Sequence, residues 1–460
     1  MSSVLPTAFN SAVTDLLADS WHTDSTTCCN YGSDSSKRCS PAEGVAFPAN
    51  REQVQALVRL CRKHHVAIVA RGSGTSSTGA VIPYSGGIVV SFERMQRIVA
   101  IQAEDRFAVV EPGVINADLQ AALAPHALFW PPDPASAAQC TIGGNLACNA
   151  GGPHAVKYGT SRDNILGLVA VTGCGELIRV GSATTKNATG YDLTHLLVGS
   201  EGTLALIVEA TLKLAPLPTQ RASLRALYAD VGSAASAVAR IMAQPIAPSM
   251  LEFMDAACIR LARDIGGADI PDAGALLMIE ADGDADSLPH AIAALQRAAT
   301  GDGLLALDSA PDEAASATLW EARKALSPAL RSIAPGKINE DVVVPVSRIP
   351  ELVRGIENLS CEFALPIVAF GHAGNGNMHA NILFDPDDAG ENERAHAALP
   401  RLFALTLSLG GTLSGEHGIG TAKRAYMTDA FDSPTLATMR AVKQAFDPDG
   451  LLNPGKVLPD

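Results

Sequence analysis

The densest chemistry in the 460-residue chain lies in AFGHAGNGNMHANILF (369–384), where two histidines bracket Asn375-Gly376. Asn-Gly is the preferred pair for a two-residue β-hairpin turn. Such a turn opposes His372 to His379 across the ladder, with Cβ atoms about 4.5–5.5 Å apart on one face. That spacing suits two imidazoles converging on a metal ion, although histidines hydrogen-bonded within a core show the same pattern. Asn381 shares the face, because strand side chains alternate. A second segment, GGTLSGEHGIG (410–420), sets Glu416-His417 between glycines, a context that exposes side chains at a site. Glu416 as third ligand would give a His₂Glu set with positions left open for substrate, the arrangement of catalytic zinc.

Three further segments are built from small residues: ARGSGTSSTG (70–79), TIGGNLACNAGG (141–152) and GSEGTLALI (199–207). The first follows the apolar run VAIVA (66–70), and Glu93 lies about 20 residues on, as in a dinucleotide-binding fingerprint. A dinucleotide fold then needs a helix whose N-terminus faces the pyrophosphate. Here the chain continues through glycine and proline without helical periodicity, so a nicotinamide cofactor is not expected. Small residues can still aim backbone N–H groups at phosphate without a helix, and Ser73, Thr75 and Ser76 add hydroxyl donors. Three such loops in one strand-rich region predict backbone wrapping of a long phosphorylated ligand.

The elements that must position these residues fall into two patterns. From 52 to 216 a helix over Arg51 to His64 precedes short strands at 66–70, 88–92, 107–113, 166–173 and 203–216, ending at Pro216-Leu217-Pro218. From 219 longer helices and strands alternate: strands at 223–229, 249–255 and 275–283, helices at 233–243 and 287–299. That alternation predicts an antiparallel sheet with helices on one face.

Composition narrows the function. A net charge of −14 without a basic block argues against nucleic acid and against a polybasic membrane anchor. Hydrophobic residues at 47% supply real cores, yet no run approaches the roughly 18 apolar residues of a membrane span. No basic-then-apolar leader is visible in the first 30 residues. Nine scattered cysteines without C-x-x-C fit a reduced compartment, so a cytoplasmic enzyme is expected, with peripheral membrane association through an electron acceptor as the variant. Cys28, Cys29 and Cys39 are read as ordinary thiols.

Together with EPGV (111–114) and PPDPAS (131–136), the three loops occur in order over about 45–216 and resemble the FAD-binding domain of the vanillyl-alcohol-oxidase type flavoproteins. The resemblance implies an α+β fold. A two-part FAD-binding domain is expected over 1–218, and an α+β cap domain with an antiparallel sheet over 219–405, carrying metal ligands. A helical C-terminal segment over 406–460 is expected to pack back toward the FAD domain. It further implies that Arg71, Gly72, Ser73, Gly74, Thr75, Ser76 and Gly79 hold the pyrophosphate. Pro132, Thr141, Gly144, Asn145, Gly151 and the backbone from Glu201 and Gly202 to Ile207 would line the flavin. Some relatives tether flavin through a histidine in RSGGH; Ser-Gly-Thr stands here, so the FAD is expected to be non-covalent.

GH-x-G-x-GN-x-H (371–379) and EHG-x-G (416–420) resemble the D-2-hydroxyacid dehydrogenases of this group, among them D-lactate, D-2-hydroxyglutarate and glycolate enzymes. That resemblance implies a divalent metal, zinc or else manganese, held by His372, His379 and Glu416, with His417 as catalytic base. Trp320-Glu-Ala-Arg323 matches a W-x-x-R pattern, which places Arg323, Ser327, Lys337 and Asn381 at the substrate. Threonine replaces Ser327 in hydroxyglutarate-preferring relatives, so D-lactate is the leading substrate. Arg331 is read as a solvated cation. The electron acceptor is left open, and a homodimer is compatible with the reading. The competing readings are a non-catalytic flavin-binding electron-relay subunit and a metal-free alcohol oxidase of the same fold, neither of which needs the paired histidines.

Overall fold

The computed structural model describes residues 5–459 except Gly266, 311–315, 318–319, 321–329 and 331–332. The chain divides into two compact units, one of Met1–Gly152, Gly159–Leu217 and Glu416–Asp460, the other of Pro153–Tyr158 and Pro218–Gly415. The second unit thus continues to Gly415 rather than ending at 405, and it also includes Pro153–Tyr158.

In the first unit, strands Gly44–Ala46, Ile88–Ser91 and Ile68–Arg71 run parallel, and Trp21–His22 joins them antiparallel at one edge. The helix Arg51–His64 covers this sheet for reasons legible in its residues. Asn50 caps it by accepting from the Gln53 amide, and Arg62, Lys63 and His64 complement the dipole in its last turn. Val54, Leu57, Val58 and Cys61 form its buried stripe. Each of the three aliphatic side chains contributes about 1.5–3 kcal/mol by leaving water. They pack with Phe9 and Val13 of the helix Thr7–Leu17.

A five-stranded antiparallel sheet completes the unit, in the order Ile98–Gln102, Phe107–Val110, Ala205–Lys213, Ile165–Thr172 and Leu177–Gly181. Among the described residues no helix follows Ile68–Arg71 until Asn116–Leu123, as the sequence predicts and as a dinucleotide fold would not allow. The end of the chain is threaded into this unit. Leu452 bridges Ile68 in parallel, the Asn453 amide donates to Ile68 O at 2.7 Å, and Lys456 Nζ donates to Ile82 O at 2.7 Å.

The second unit is built on a seven-stranded sheet in the order Leu304–Ala310, Gln220–Tyr228, Ala275–Gly283, Met250–Asp255, Ile367–His372, Asn377–Phe384 and Gly336–Val343. All neighbouring pairs are antiparallel. Helices Val231–Ala243 and Leu288–Ala299 lie close to the strands predicted at 223–229 and 275–283. The expectation of helices on one face is corrected by Ala256–Asp264. Its Cys258, Ile259 and Ala262 pack with Met254, Met278, Val368 and Phe370. The alternate residues Leu251, Phe253, Leu277 and Ala369 are buried as well, so both faces are covered.

Such strands should be nearly all apolar. The exceptions include buried acids and amides: Glu252, Asp255, Glu280, Asp282, Glu340, Asp341, Asn377 and Asn381, joined by His372 and His379. Burying these groups without partners is expensive, so their concentration in one sheet marks a site.

Candidate active site

His372 ends strand Ile367–His372, and His379 lies in Asn377–Phe384. The connection between them is not the two-residue turn expected. Residues 373–376 make a 3₁₀ turn in which Gly376 alone is left-handed, with φ +72°. The tight turn needs two such residues. The register shifts by two, so that His372 pairs with Asn377 and His379 with Phe370. An even shift preserves the face. The two imidazoles therefore stand diagonal instead of opposed, with ring centroids 5.3 Å apart and planes at 87°.

A Cβ on Gly376 would lie 1.9 Å from Val344 O. Gly376→Ala should therefore cost at least the about 1–3 kcal/mol of a strained backbone position, read as a lower denaturation midpoint. A midpoint equal to wild type would contradict the turn.

One ligand atom each from His372, His379 and Glu416 lies within 4.8 Å of the others. Ligands about 2.1 Å from a tetrahedral ion sit about 3.4 Å apart, so small side-chain rotations close the set. Glu416 follows Gly415 directly, and that residue is pinned within the second unit. Asp341 accepts the Gly415 amide at 2.7 Å and the Ser414 hydroxyl at 3.0 Å. On the other side of His372, its Nδ1 is hydrogen-bonded to Glu252, which is 1% exposed. Two imidazoles and a carboxylate with an orienting acid behind one ring form a donor set that fits a divalent ion.

Asn381 is fully buried, and its Oδ1 has no hydrogen-bond partner; Asn339, its cross-strand neighbour, has an unpartnered Oδ1 as well. Orphaned acceptors beside a histidine pair suit a ligand that brings donors. Lys337 is exposed two residues from Asn339, on the same face. Trp320 donates to the Ser223 hydroxyl at 3.1 Å, whereas Arg323, Ser327 and Arg331 lie outside the described residues.

The flavin loops are a separate construction within the first unit. A Cβ on Gly72 would meet Thr141 Oγ1 at 2.4 Å, so the first and second loops touch. A Cβ on Gly202 would stand 3.2 Å from Ala70 Cβ, which brings the third loop to the same strand end. Among the described residues, the amides of Ser73 to Ser77 donate no hydrogen bond. Gly74 and Gly79 are left-handed there, with φ +74° and +76°. Consecutive unspent amides in a glycine-bent loop form an anion cradle, and this one fits a pyrophosphate.

The Arg71 side chain donates to the carbonyls of Tyr31 and Ser33, with its guanidinium beneath Gly74. Thr141 caps the helix Ile142–Cys148 by accepting from the Gly144 amide at 3.2 Å. Asn116, which the sequence reading passed over, ties Pro132 O and Asn145 Oδ1 together at 3.0 and 3.3 Å. Gly151 O accepts the Asp133 amide at 3.2 Å, and Ile207 abuts a bulge in its strand.

Glu201 takes a part that the sequence does not announce. Its carboxylate accepts the amides of Ile419 and Gly420 at 2.6 and 2.8 Å, just beyond His417. A Cβ on Gly418 would collide with it at 2.7 Å. Burial pushes this carboxyl up, and the two amides pull against that shift.

Comparison with known proteins decides the family. The family described as FAD linked oxidases, C-terminal domain, matches residues 217–457, and the FAD binding domain family matches 42–181. The glycolate oxidase subunit GlcD of Bacillus subtilis is 38% identical over 90% of this chain and 88% of its own. The chain belongs to the FAD-linked oxidases. It is a flavin-dependent oxidoreductase. A probable mitochondrial D-lactate dehydrogenase of Danio rerio is 34% identical over 93% of this chain and 87% of its own. A solved structure of p-cresol methylhydroxylase superposes with a TM-score of 0.79 at 16% identity, covering 100% of this chain and 99% of that one, a likeness of fold alone. The vanillyl-alcohol-oxidase type architecture expected from the loops is thus the architecture of this FAD-linked oxidase. No helix among its described residues is long and apolar enough to cross a membrane.

Proposed function

We propose that this oxidase converts a D-2-hydroxy acid to the 2-oxo acid using FAD and one divalent metal, zinc or manganese. The observation that carries the reading is the convergence of His372, His379 and Glu416 in a family of FAD-linked enzymes. FAD held by the three small-residue loops would supply a two-electron acceptor for the C2 hydride. The metal supplies Lewis acidity, which favours loss of the hydroxyl proton.

The remaining work belongs to the chain. His417 accepts the hydroxyl proton as general base. Arg323 and Lys337, with the Ser327 hydroxyl, hold the substrate carboxylate, matching a guanidinium fork and an ammonium to its two oxygens. Asn381 fixes the substrate from the sheet. Because proton and hydride leave adjacent atoms, orientation dominates the rate. With a net charge of −14 the protein as a whole repels an anion, so these cations and the metal reverse the potential locally. D-lactate is the leading substrate, followed by glycolate and D-2-hydroxyglutarate. On this reading the enzyme works in the cytoplasm and passes its electrons to a separate acceptor.

A panel of D- and L-2-hydroxy acids, scored by kcat/KM with an artificial dye as acceptor, tests this reading. Preference for the D enantiomer of a small substrate is expected; activity confined to alcohols without a carboxylate would contradict it. Metal analysis of the pure protein separates the alternatives: about one ion per chain is expected, and none would favour an electron-relay subunit or a metal-free alcohol oxidase.

A further inference from the structure

We infer that Glu252 is the positioning residue that presents His372 to the metal, an inference that rests on the metal reading above. Glu252 lies in the interior strand Met250–Asp255, 1% exposed, between the buried residues Leu251 and Phe253. Its cross-strand partners are Met278 on one side and His372 on the other. Nothing in the apolar packing of this strand calls for an acid, and a buried carboxylate without a partner is costly. The hydrogen bond to His372 Nδ1 gives it a function.

A carboxylate accepting from Nδ1 of His372 would hold the proton there and leave the lone pair on Nε2. Nε2, the nitrogen turned away from Glu252, is the one the ring would offer to the ion. A carboxylate behind a ligating imidazole also raises its basicity and locks the plane of its ring. Both residues sit on adjacent strands of one sheet, which holds this geometry more firmly than a loop would. Glu252 acts through His372.

The test is zinc titration of metal-stripped, FAD-containing protein against a chromophoric chelator, with wild type, Glu252→Gln, Glu252→Ala and His372→Ala compared. Loss of an orienting partner typically weakens metal binding by about 10–100-fold, and Glu252→Ala should fall in that range. Glu252→Gln keeps an oxygen that can accept from Nδ1 and should lose less. Selective ¹⁵N-histidine spectra of the metal-free proteins should show the Nδ1-protonated form of one ring in wild type, diminished in Glu252→Ala. A purely structural role would lower the melting midpoint without moving that signal.

Zinc affinity unchanged in Glu252→Ala but lost in His372→Ala would overturn the role of Glu252 and leave the metal site standing. If the alanine variant does not fold, a glutamine variant indistinguishable from wild type in affinity and spectrum overturns it equally. A wild type that takes up neither zinc nor manganese overturns both readings together.

Discussion

Replacing His417 with glutamine is expected to lower kcat for D-2-hydroxy acid oxidation by about 10²–10⁴-fold, the usual contribution of a positioned general base. FAD content should not change. The backbone just beyond His417 is held by other groups, since Glu201 accepts the amides of Ile419 and Gly420 and leaves no room for a side chain at Gly418. The variant therefore loses a proton acceptor without losing its fold. With the base gone, residual turnover should climb with pH as hydroxide takes over the deprotonation. Steady-state kinetics with a dye acceptor across a pH series measures both effects. A change in kcat smaller than about threefold would remove His417 from the role of base.

The second large effect concerns the metal. His379→Gln removes one of two imidazoles from a donor set in which the three ligand atoms lie within 4.8 Å of one another. The ion should then be lost. Lewis-acid assistance is worth several kcal/mol, and each 1.36 kcal/mol is tenfold in rate, so kcat/KM should fall by about 10³ or more. Chelation of wild type should produce the same loss, reversed by zinc or manganese, whereas His379→Gln should not recover. His379 belongs to the second unit and the FAD loops to the first, so flavin content should be untouched by the substitution. Full activity of chelated, metal-free protein would contradict the metal's part in the reaction.

How much of this was legible in the residues depended on the range of the interaction. The helix Arg51–His64 announces itself locally through a capping asparagine, a 3.6-residue apolar stripe and basic residues in its last turn. The strands at 88–91, 165–172 and 275–283 were equally plain as bounded apolar runs. The Asn375-Gly376 signal correctly marked a hairpin but mistook its length. The structure uses four residues where two were expected, and His372 moved from facing His379 to facing Asn377. The reading of a shared face survived only because strand alternation has period two, so a shift of two residues is invisible to it.

The partners of the site were harder. Glu252 in SMLEFMD is an acid in the middle of an apolar strand, a signal that something compensates it. Which residue does so depends on the strand Met250–Asp255 lying beside Ile367–His372, about 120 residues away in sequence, and no local pattern fixes that adjacency. Asp341 holding Gly415, and Glu201 holding Ile419 and Gly420, are non-local in the same way. Asn116 reads as an ordinary first-turn residue until the loop at Pro132 folds against it. Motifs thus named the groups proposed to meet substrate and cofactor. The residues that hold those groups in place emerged only from the sheet order.

Anaerobic mixing of the FAD-containing, metal-loaded enzyme with D-lactate, glycolate and D-2-hydroxyglutarate, with the visible flavin band followed in time, tests the central claim most directly. Rapid bleaching is predicted with at least one of these acids, faster with the D than the L enantiomer of lactate, and slowed by about 10³-fold or more after chelation. A flavin that stays oxidised with every 2-hydroxy acid would contradict the account.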